Sequence, residues 1–117
     1  MKKSKYNNKK TTRKVNGETV TFDSLKEARR FDELVLMLKS EKITELTLQP
    51  KYLLLDTLRT EGHKTMPKKY YIADFHYIEN HITIVEDVKG MKTAVYQLKK
   101  HMFLEKYGHE LTFKEIL

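Results

Sequence analysis

The chain has no cysteine. No disulfide framework and no thiolate zinc site is therefore available to it, and a reducing cytoplasm is the expected location. No apolar run approaches the roughly 18 residues that cross a bilayer, so a membrane is not expected among its partners. The charged N-terminus is not followed by an apolar core, which does not read as a secretory signal. No glycine-rich phosphate loop is present, which sets aside nucleotide-driven chemistry. No serine stands in a nucleophile-elbow setting. The histidines, at positions 63, 76, 81, 101 and 109, have no spacing that gathers several of them as ligands on one face. There is no internal repeat and no Pro- or Gly-rich linker.

Acid is also missing from residues 1–14, which carry Lys2, Lys3, Lys5, Lys9, Lys10, Arg13 and Lys14. These cations account for the whole net charge of +7: the rest of the chain holds 16 Lys and Arg against 16 Asp and Glu. A basic arm over residues 1–15, flexible and attached to a formally neutral domain over 16–117, suits a polyanion, because each neutralised phosphate releases counterions. A solubilising tail is the other reading of the same segment. With 117 residues, 39% hydrophobic and 33% charged, the chain is expected to be globular and a single domain.

Residues 16–22 read as a turn and a short strand. Ser24 opens a helix to about Ser40, and its spacing to Glu27 is a capping box. Residues 45–58 are strand-like with a bend or edge near Pro50. The segments 68–78 and 81–89 form a hairpin with Glu79-Asn80 at its turn. A second helix over 93–108 shows a Met91, Val95, Leu98, Met102 stripe and stops at Gly108. A short strand over 110–116 follows. The order αβββαβ predicts a mixed α/β, or α+β, fold in which helices flank a mixed central sheet.

Asp74, Glu86, Asp87 and Lys89 stand in the most strand-like stretch of the chain. With the turn at Glu79-Asn80, Ile78 pairs with His81 and Asp74 with Val85. Asp74, Asp87 and Lys89 then share one face, Glu86 takes the other, and the two aspartates are diagonal neighbours at roughly 7–8 Å. At 100° per residue Glu27 falls on the stripe of Phe31, Leu34 and Leu38, aimed at the sheet. Capping alone would also explain a Ser-x-x-Glu. Without a metal, two carboxylates on an interior face repel each other and must be desolvated, or else one must take a proton. Oxygen ligands of this kind select Mg²⁺ or Mn²⁺, and an ammonium nearby can orient water or neutralise transition-state charge. The bland alternative is an exposed face on which the aspartates pair with lysines.

Asp74 followed by Asp87-Val88-Lys89 resembles the signature of the PD-(D/E)XK nuclease superfamily, and the αβββαβ order resembles its restriction-endonuclease-like core. The segments FDSLKEARRFDEL, LTLQPKYLL, YIADFHY and VEDVKGMKTAVYQLKK look like a family of small phage-encoded proteins of that superfamily. The likeness extends from about Gly17 to Ile116. It implies Asp74 and Asp87 as metal ligands, with the Val88 carbonyl as a third and Lys89 as the catalytic lysine. Ala73 stands where the signature has proline. Glu27 resembles the helix-borne additional ligand of several Holliday-junction resolvases, and Gln49 is implied as support or substrate contact.

The expectation is thus a Mg²⁺- or Mn²⁺-dependent DNA endonuclease of a phage or mobile element in a bacterial host. It would hydrolyse phosphodiester bonds in branched or recombination intermediates, as a Holliday-junction resolvase does. Lys9, Lys10, Arg13 and Lys14 of the arm, with Lys92 and Lys99 of the second helix, would contact DNA. The loop over 59–69 is either a DNA contact or a solvated loop. Tyr96, Phe103 and Tyr107 lie on a face away from the Met91 stripe. That face either packs within the chain, against the first helix or the last strand, or forms a homodimer surface. The rival function is a non-catalytic nucleic-acid-binding or replication-accessory protein that retains the fold.

Overall fold

The computed structural model describes residues 10–117. The elements run β1 (Thr11–Val15), β2 (Glu18–Phe22), α1 (Leu25–Lys39), β3 (Thr44–Leu48), β4 (Lys51–Leu55), β5 (Lys69–Ile72), β6 (Phe75–Glu79), β7 (Ile82–Val88), α2 (Ala94–Tyr107) and β8 (Thr112–Ile116). This is an α+β chain. It divides into two compact units, one ending at Lys42 and the other beginning at Ile43.

In the first unit the basic segment is not a free arm throughout. Residues 11–15 are β1, paired antiparallel with β2 from Thr11↔Phe22 to Val15↔Glu18. Asn16 (φ 51°) and Gly17 (φ 83°) make the turn. Asn-Gly is the pair best suited to two successive left-handed residues, which is why the end of the basic segment, with Arg13 and Lys14, closes into a hairpin here. Residues 1–9 of the proposed arm, Lys9 included, lie outside the described residues. Helix α1 begins where the capping residue requires: the Glu27 amide donates to Ser24 Oγ at 3.1 Å. Glu27, Ala28, Phe31 and Leu34 are its buried residues, and Phe31 packs on Phe22 of β2 with ring centroids 5.0 Å apart.

The second unit holds a mixed four-stranded sheet in the order β3-β6-β7-β8 and a separate β4-β5 ribbon. β3, β6 and β7 are antiparallel neighbours, and β8 lies parallel to β7. A parallel neighbour needs a crossover, and α2 supplies it. The ribbon interrupts what reads in sequence as continuous strands. Residues 45–58 divide into β3 and β4 at Gln49-Pro50, and residues 68–78 divide into β5 and β6 at Ala73-Asp74.

The β6–β7 turn sits one residue later than expected. Glu79 pairs with Ile82, and Asn80 (φ 51°) and His81 (φ 66°) form the loop. A two-residue turn of this hand places both central residues in the left-handed region, which asparagine tolerates well and glutamate does not. Moving the turn by one residue shifts the pairing by two, so every side chain keeps its face.

Helix α2 packs through Tyr96 and Phe103 onto Leu54, Tyr71, Ala73 and Val85. The Phe103 ring lies 4.8 Å from that of Tyr71, 4.9 Å from Tyr52 and 5.9 Å from Phe113, centroid to centroid. The aromatic face is therefore the core face, and packing within the chain is its explanation. Val95 (64%) and Leu98 (61%) of the stripe are exposed, and Met91 precedes the helix. Phe103 is fully buried at the centre of this cluster. Its truncation to alanine should cost about 3–5 kcal/mol.

Candidate functional site

The site grows from the point where the chain leaves the ribbon for the sheet. The Ala73 amide donates to the Pro50 carbonyl at 3.1 Å, and the Gln49 amide donates to the Asp74 carbonyl at 2.9 Å. Gln49 holds a left-handed conformation, φ 49°, to do so. Such a conformation is uncommon outside glycine and persists only where its surroundings enforce it. Gln49 thus braces Asp74 through its backbone.

The β6–β7 ladder ends at Phe75↔Glu86, two residues on from the register expected, and Asp74 lies just beyond its last pair. The Asp74 amide donates to the Glu86 carbonyl at 3.1 Å, and Asp74 Oδ2 accepts from the Val88 amide at 2.7 Å. Those two bonds bracket Asp87 on both sides. Glu86 points to the opposite face, where it is buried and accepts from the Tyr77 hydroxyl.

Asp87 is 1% exposed. Its Oδ2 accepts from the Tyr71 hydroxyl. Its Oδ1 is buried and receives no hydrogen bond. Lys89 Nζ lies 3.3 Å from Oδ1, near enough for charge attraction but outside hydrogen-bond alignment. The ammonium offsets part of the cost of burying this oxygen, and a metal cation bound there would offset more. Burial first, and then the bond to Asp87, raise the pKa of Tyr71, so the phenol stays a donor.

Lys89 is placed by two neighbours besides Asp87. Its amide donates to the Ile116 carbonyl of β8 at 2.9 Å, and its ammonium lies 4.4 Å from the centroid of the Tyr96 ring. The Tyr96 hydroxyl donates to Glu115 Oε2 at 2.6 Å. Glu115 Oε1 in turn lies 3.2 Å from Lys92 Nζ and 3.0 Å from Lys100 Nζ. The Tyr96 bond is the main reason the Glu115 carboxyl titrates at about 2, and the two lysines add to it. Burial and the Glu115 bond raise the pKa of Tyr96.

The residues expected at the site are distributed as follows. Asp74, Asp87, Val88 and Lys89 come together in the second unit. Glu27 belongs to the first unit, where it is 6% exposed at the start of α1. Its assignment as a ligand rests on the family resemblance. Among the described residues no group of three or more His, Asp or Glu side chains is arranged to hold a metal. Mg²⁺ commonly takes one or two carboxylates and completes its shell with water and phosphate, so the donor set at Asp74 and Asp87 fits it. Arg13 is engaged by Asp32 of α1, with Nε–Oδ1 at 2.9 Å and Nη2–Oδ2 at 3.0 Å. Lys92 is engaged by Glu115. Lys10 and Lys14 are exposed and Lys99 is half-buried.

Tyr71, Tyr96 and Glu115 were not legible as site residues in the sequence. Tyr71 reaches Asp87 because the chain breaks at Ala73-Asp74, and Glu115 lies beside Asp87 because β8 is parallel to β7 in the register Asp87↔Glu115. Neither relation has a local sequence signal. No helix among the described residues is long and apolar enough to cross a membrane. The family model described as "Protein of unknown function (DUF1064)" matches residues 3–116. No curated protein matches the chain.

Proposed function

We propose that this chain, which belongs to the DUF1064 family, is a Mg²⁺- or Mn²⁺-dependent endonuclease of the PD-(D/E)XK type that hydrolyses DNA phosphodiester bonds. The observation that carries the reading is the Asp87 carboxylate. It is buried, with one oxygen tied to Tyr71 and the other met by the Lys89 ammonium alone at 3.3 Å, and Asp74 binds the amide of the next residue, Val88. A buried anion with one oxygen free of hydrogen bonds is suited to holding a hard cation.

Asp74 and Asp87 would hold the ion, with the Val88 carbonyl as a further oxygen. When bound, the ion would polarise the phosphate, lower the pKa of a water and stabilise the leaving oxygen. Lys89, held over the Tyr96 ring, would orient the attacking water and balance charge on the phosphate. Gln49 and the Val88 amide hold Asp74 in place. The basic N-terminal segment would supply sequence-independent affinity. Branched recombination intermediates are the proposed substrates, and this finer assignment rests on size, charge and analogy.

A non-catalytic DNA-binding role has one observation in its favour: no third His, Asp or Glu joins the pair as a metal cage among the described residues. Cleavage of matched four-way, flap and linear DNA by wild type and Lys89→Ala, in Mg²⁺, Mn²⁺ or EDTA, decides between the two. Metal-dependent cutting that is lost in Lys89→Ala is the expected result, and the preferred substrate identifies the role. Binding without cutting under either metal would sink the catalytic reading.

A further inference from the structure

We propose that the Tyr71 hydroxyl sets the size of cation the site accepts. By engaging Asp87 Oδ2 it fixes the carboxylate with Oδ1 as the oxygen better placed to meet an ion, which favours Mg²⁺-sized over Ca²⁺-sized ions. The inference rests on the cation-dependent reading above and assigns a determinant of ion choice within it.

The two oxygens of Asp87 are not equivalent. Oδ2 takes the Tyr71 O–H, and Oδ1 takes no hydrogen bond at all. Ca²⁺ gathers six to eight oxygens at roughly 2.3–2.6 Å and readily uses both oxygens of one carboxylate. Mg²⁺ demands a near-octahedral shell at roughly 2.0–2.1 Å, into which the narrow bite of a chelating carboxylate fits badly. A carboxylate with one oxygen already committed is therefore a better partner for the smaller ion.

The phenol is held where it cannot follow a turning carboxylate. Tyr71 is 2% exposed and sits on β5 opposite Tyr52. Its ring is packed against Phe103, with Phe113 and Tyr96 each 6.4 Å away, centroid to centroid. Rotating Asp87 to present both oxygens would move Oδ2 out of the position in which it meets the Tyr71 hydroxyl.

Tyr77 provides an internal control. It makes the same kind of buried phenol–carboxylate bond, to Glu86, on the opposite face of β7. A change that merely loosens the strand should appear in either variant, whereas a change in ion choice should appear only at Tyr71.

The test is calorimetric titration of the full chain with Mg²⁺ and with Ca²⁺, for wild type, Tyr71→Phe, Tyr77→Phe and Asp87→Asn. In Tyr71→Phe the preference should move towards Ca²⁺ by about tenfold, within the range typical of lost second-layer contacts. Tyr77→Phe should leave the ratio of the two affinities unchanged. An unchanged ratio in Tyr71→Phe, or an equal shift in Tyr77→Phe, overturns the inference while leaving the nuclease reading intact. A wild type that binds neither ion, or binding unaffected in Asp87→Asn, overturns both. If Tyr71→Phe does not fold, wild type titrated with Mg²⁺, Ca²⁺ and Sr²⁺ tests the same claim. Affinity should fall as the ion grows, and a Ca²⁺ affinity equal to or above that for Mg²⁺ overturns it.

Discussion

Lys89 Nζ stands 4.4 Å above the Tyr96 ring, and that ring is itself anchored through its hydroxyl to Glu115. The ammonium at the centre of the proposed chemistry is thus aimed by a side chain from the crossover helix. Tyr96→Phe keeps the ring and loses the anchor, so it should lower stability by about 1–2 kcal/mol while retaining most cleavage. Tyr96→Leu removes the π face as well, worth about 0.5–2 kcal/mol to the cation, and should lower the cleavage rate several-fold beyond Tyr96→Phe. Single-turnover cleavage alongside thermal melts of both variants separates the two effects.

Lys89→Ala should have opposite effects on binding and on turnover. The ammonium lies 3.3 Å from Asp87 Oδ1, the same oxygen proposed to meet the ion. Removing it takes away a like charge that competes for that oxygen, so Mg²⁺ should bind several-fold more tightly even as cutting is lost. The Mg²⁺-induced rise in melting temperature should be larger in Lys89→Ala than in wild type.

Saturating Mg²⁺ should stabilise wild type by about 2.7 kcal/mol when present at a hundredfold excess over its dissociation constant. Asp74→Asn and Asp87→Asn should each abolish that increment. The non-catalytic reading expects no such increment in wild type and a more stable protein in both Asn variants. Chemical denaturation with and without the ion measures the difference.

Glu115 makes stability depend on pH in a defined window. Its carboxyl is depressed from 4.5 to about 2 in the folded chain, chiefly by the Tyr96 hydroxyl and then by Lys100 and Lys92. A folded-state depression contributes stability above the unfolded value, and that contribution is lost as pH falls from about 4.5 through about 2. The full shift corresponds to about 3 kcal/mol. Its side chain is 16% exposed, and solvent screening reduces this to about 1–2 kcal/mol. Glu115→Gln should therefore be less stable than wild type at pH 6, with the gap closing towards pH 2. Urea melts across that range provide the check.

At the β6–β7 turn, His81 sits at φ 66° with a side chain that disfavours it. His81→Gly would make the preferred Asn-Gly turn and should stabilise by about 0.5–1 kcal/mol, whereas His81→Val should destabilise by a similar amount. Denaturant midpoints at unchanged slope are the readout.

Much of the frame was legible because it is written locally. Ser24 and Glu27 fixed the start of α1, and the αβββαβ order holds from α1 onwards, after the β1-β2 hairpin, once the β4-β5 ribbon is seen as an insertion between β3 and β6. The opposite faces of Glu86 and Asp87 were legible because parity along a strand survives a shift of the turn. What failed depends on distant partners. The stripe of Val95 and Leu98 has the helical period, but the aromatic residues Tyr96 and Phe103 bury more area. Tyr96 also finds an acceptor for its hydroxyl, and so does Tyr107, whose hydroxyl donates to the Leu53 carbonyl at 2.9 Å. The strand at residues 11–15 was hidden by the basic run that it ends, although Asn16-Gly17 marked its turn. The Tyr71 and Glu115 contacts follow from strand breaks and a parallel register that no short motif encodes.

The pairing of Lys89 with Ile116 sets an order of events on the ribosome. Strand β7 emerges with β6 already beside it, but its other edge stays bare until the helix and then β8 have been made. A chain stalled after the hairpin carries both aspartates and the lysine without Tyr96 packed beneath the ammonium or Glu115 to anchor that ring. The proposed arrangement is therefore completed only after residues 112–116 have been made, and fragments lacking them should hold the acids in sequence without the frame that aims them.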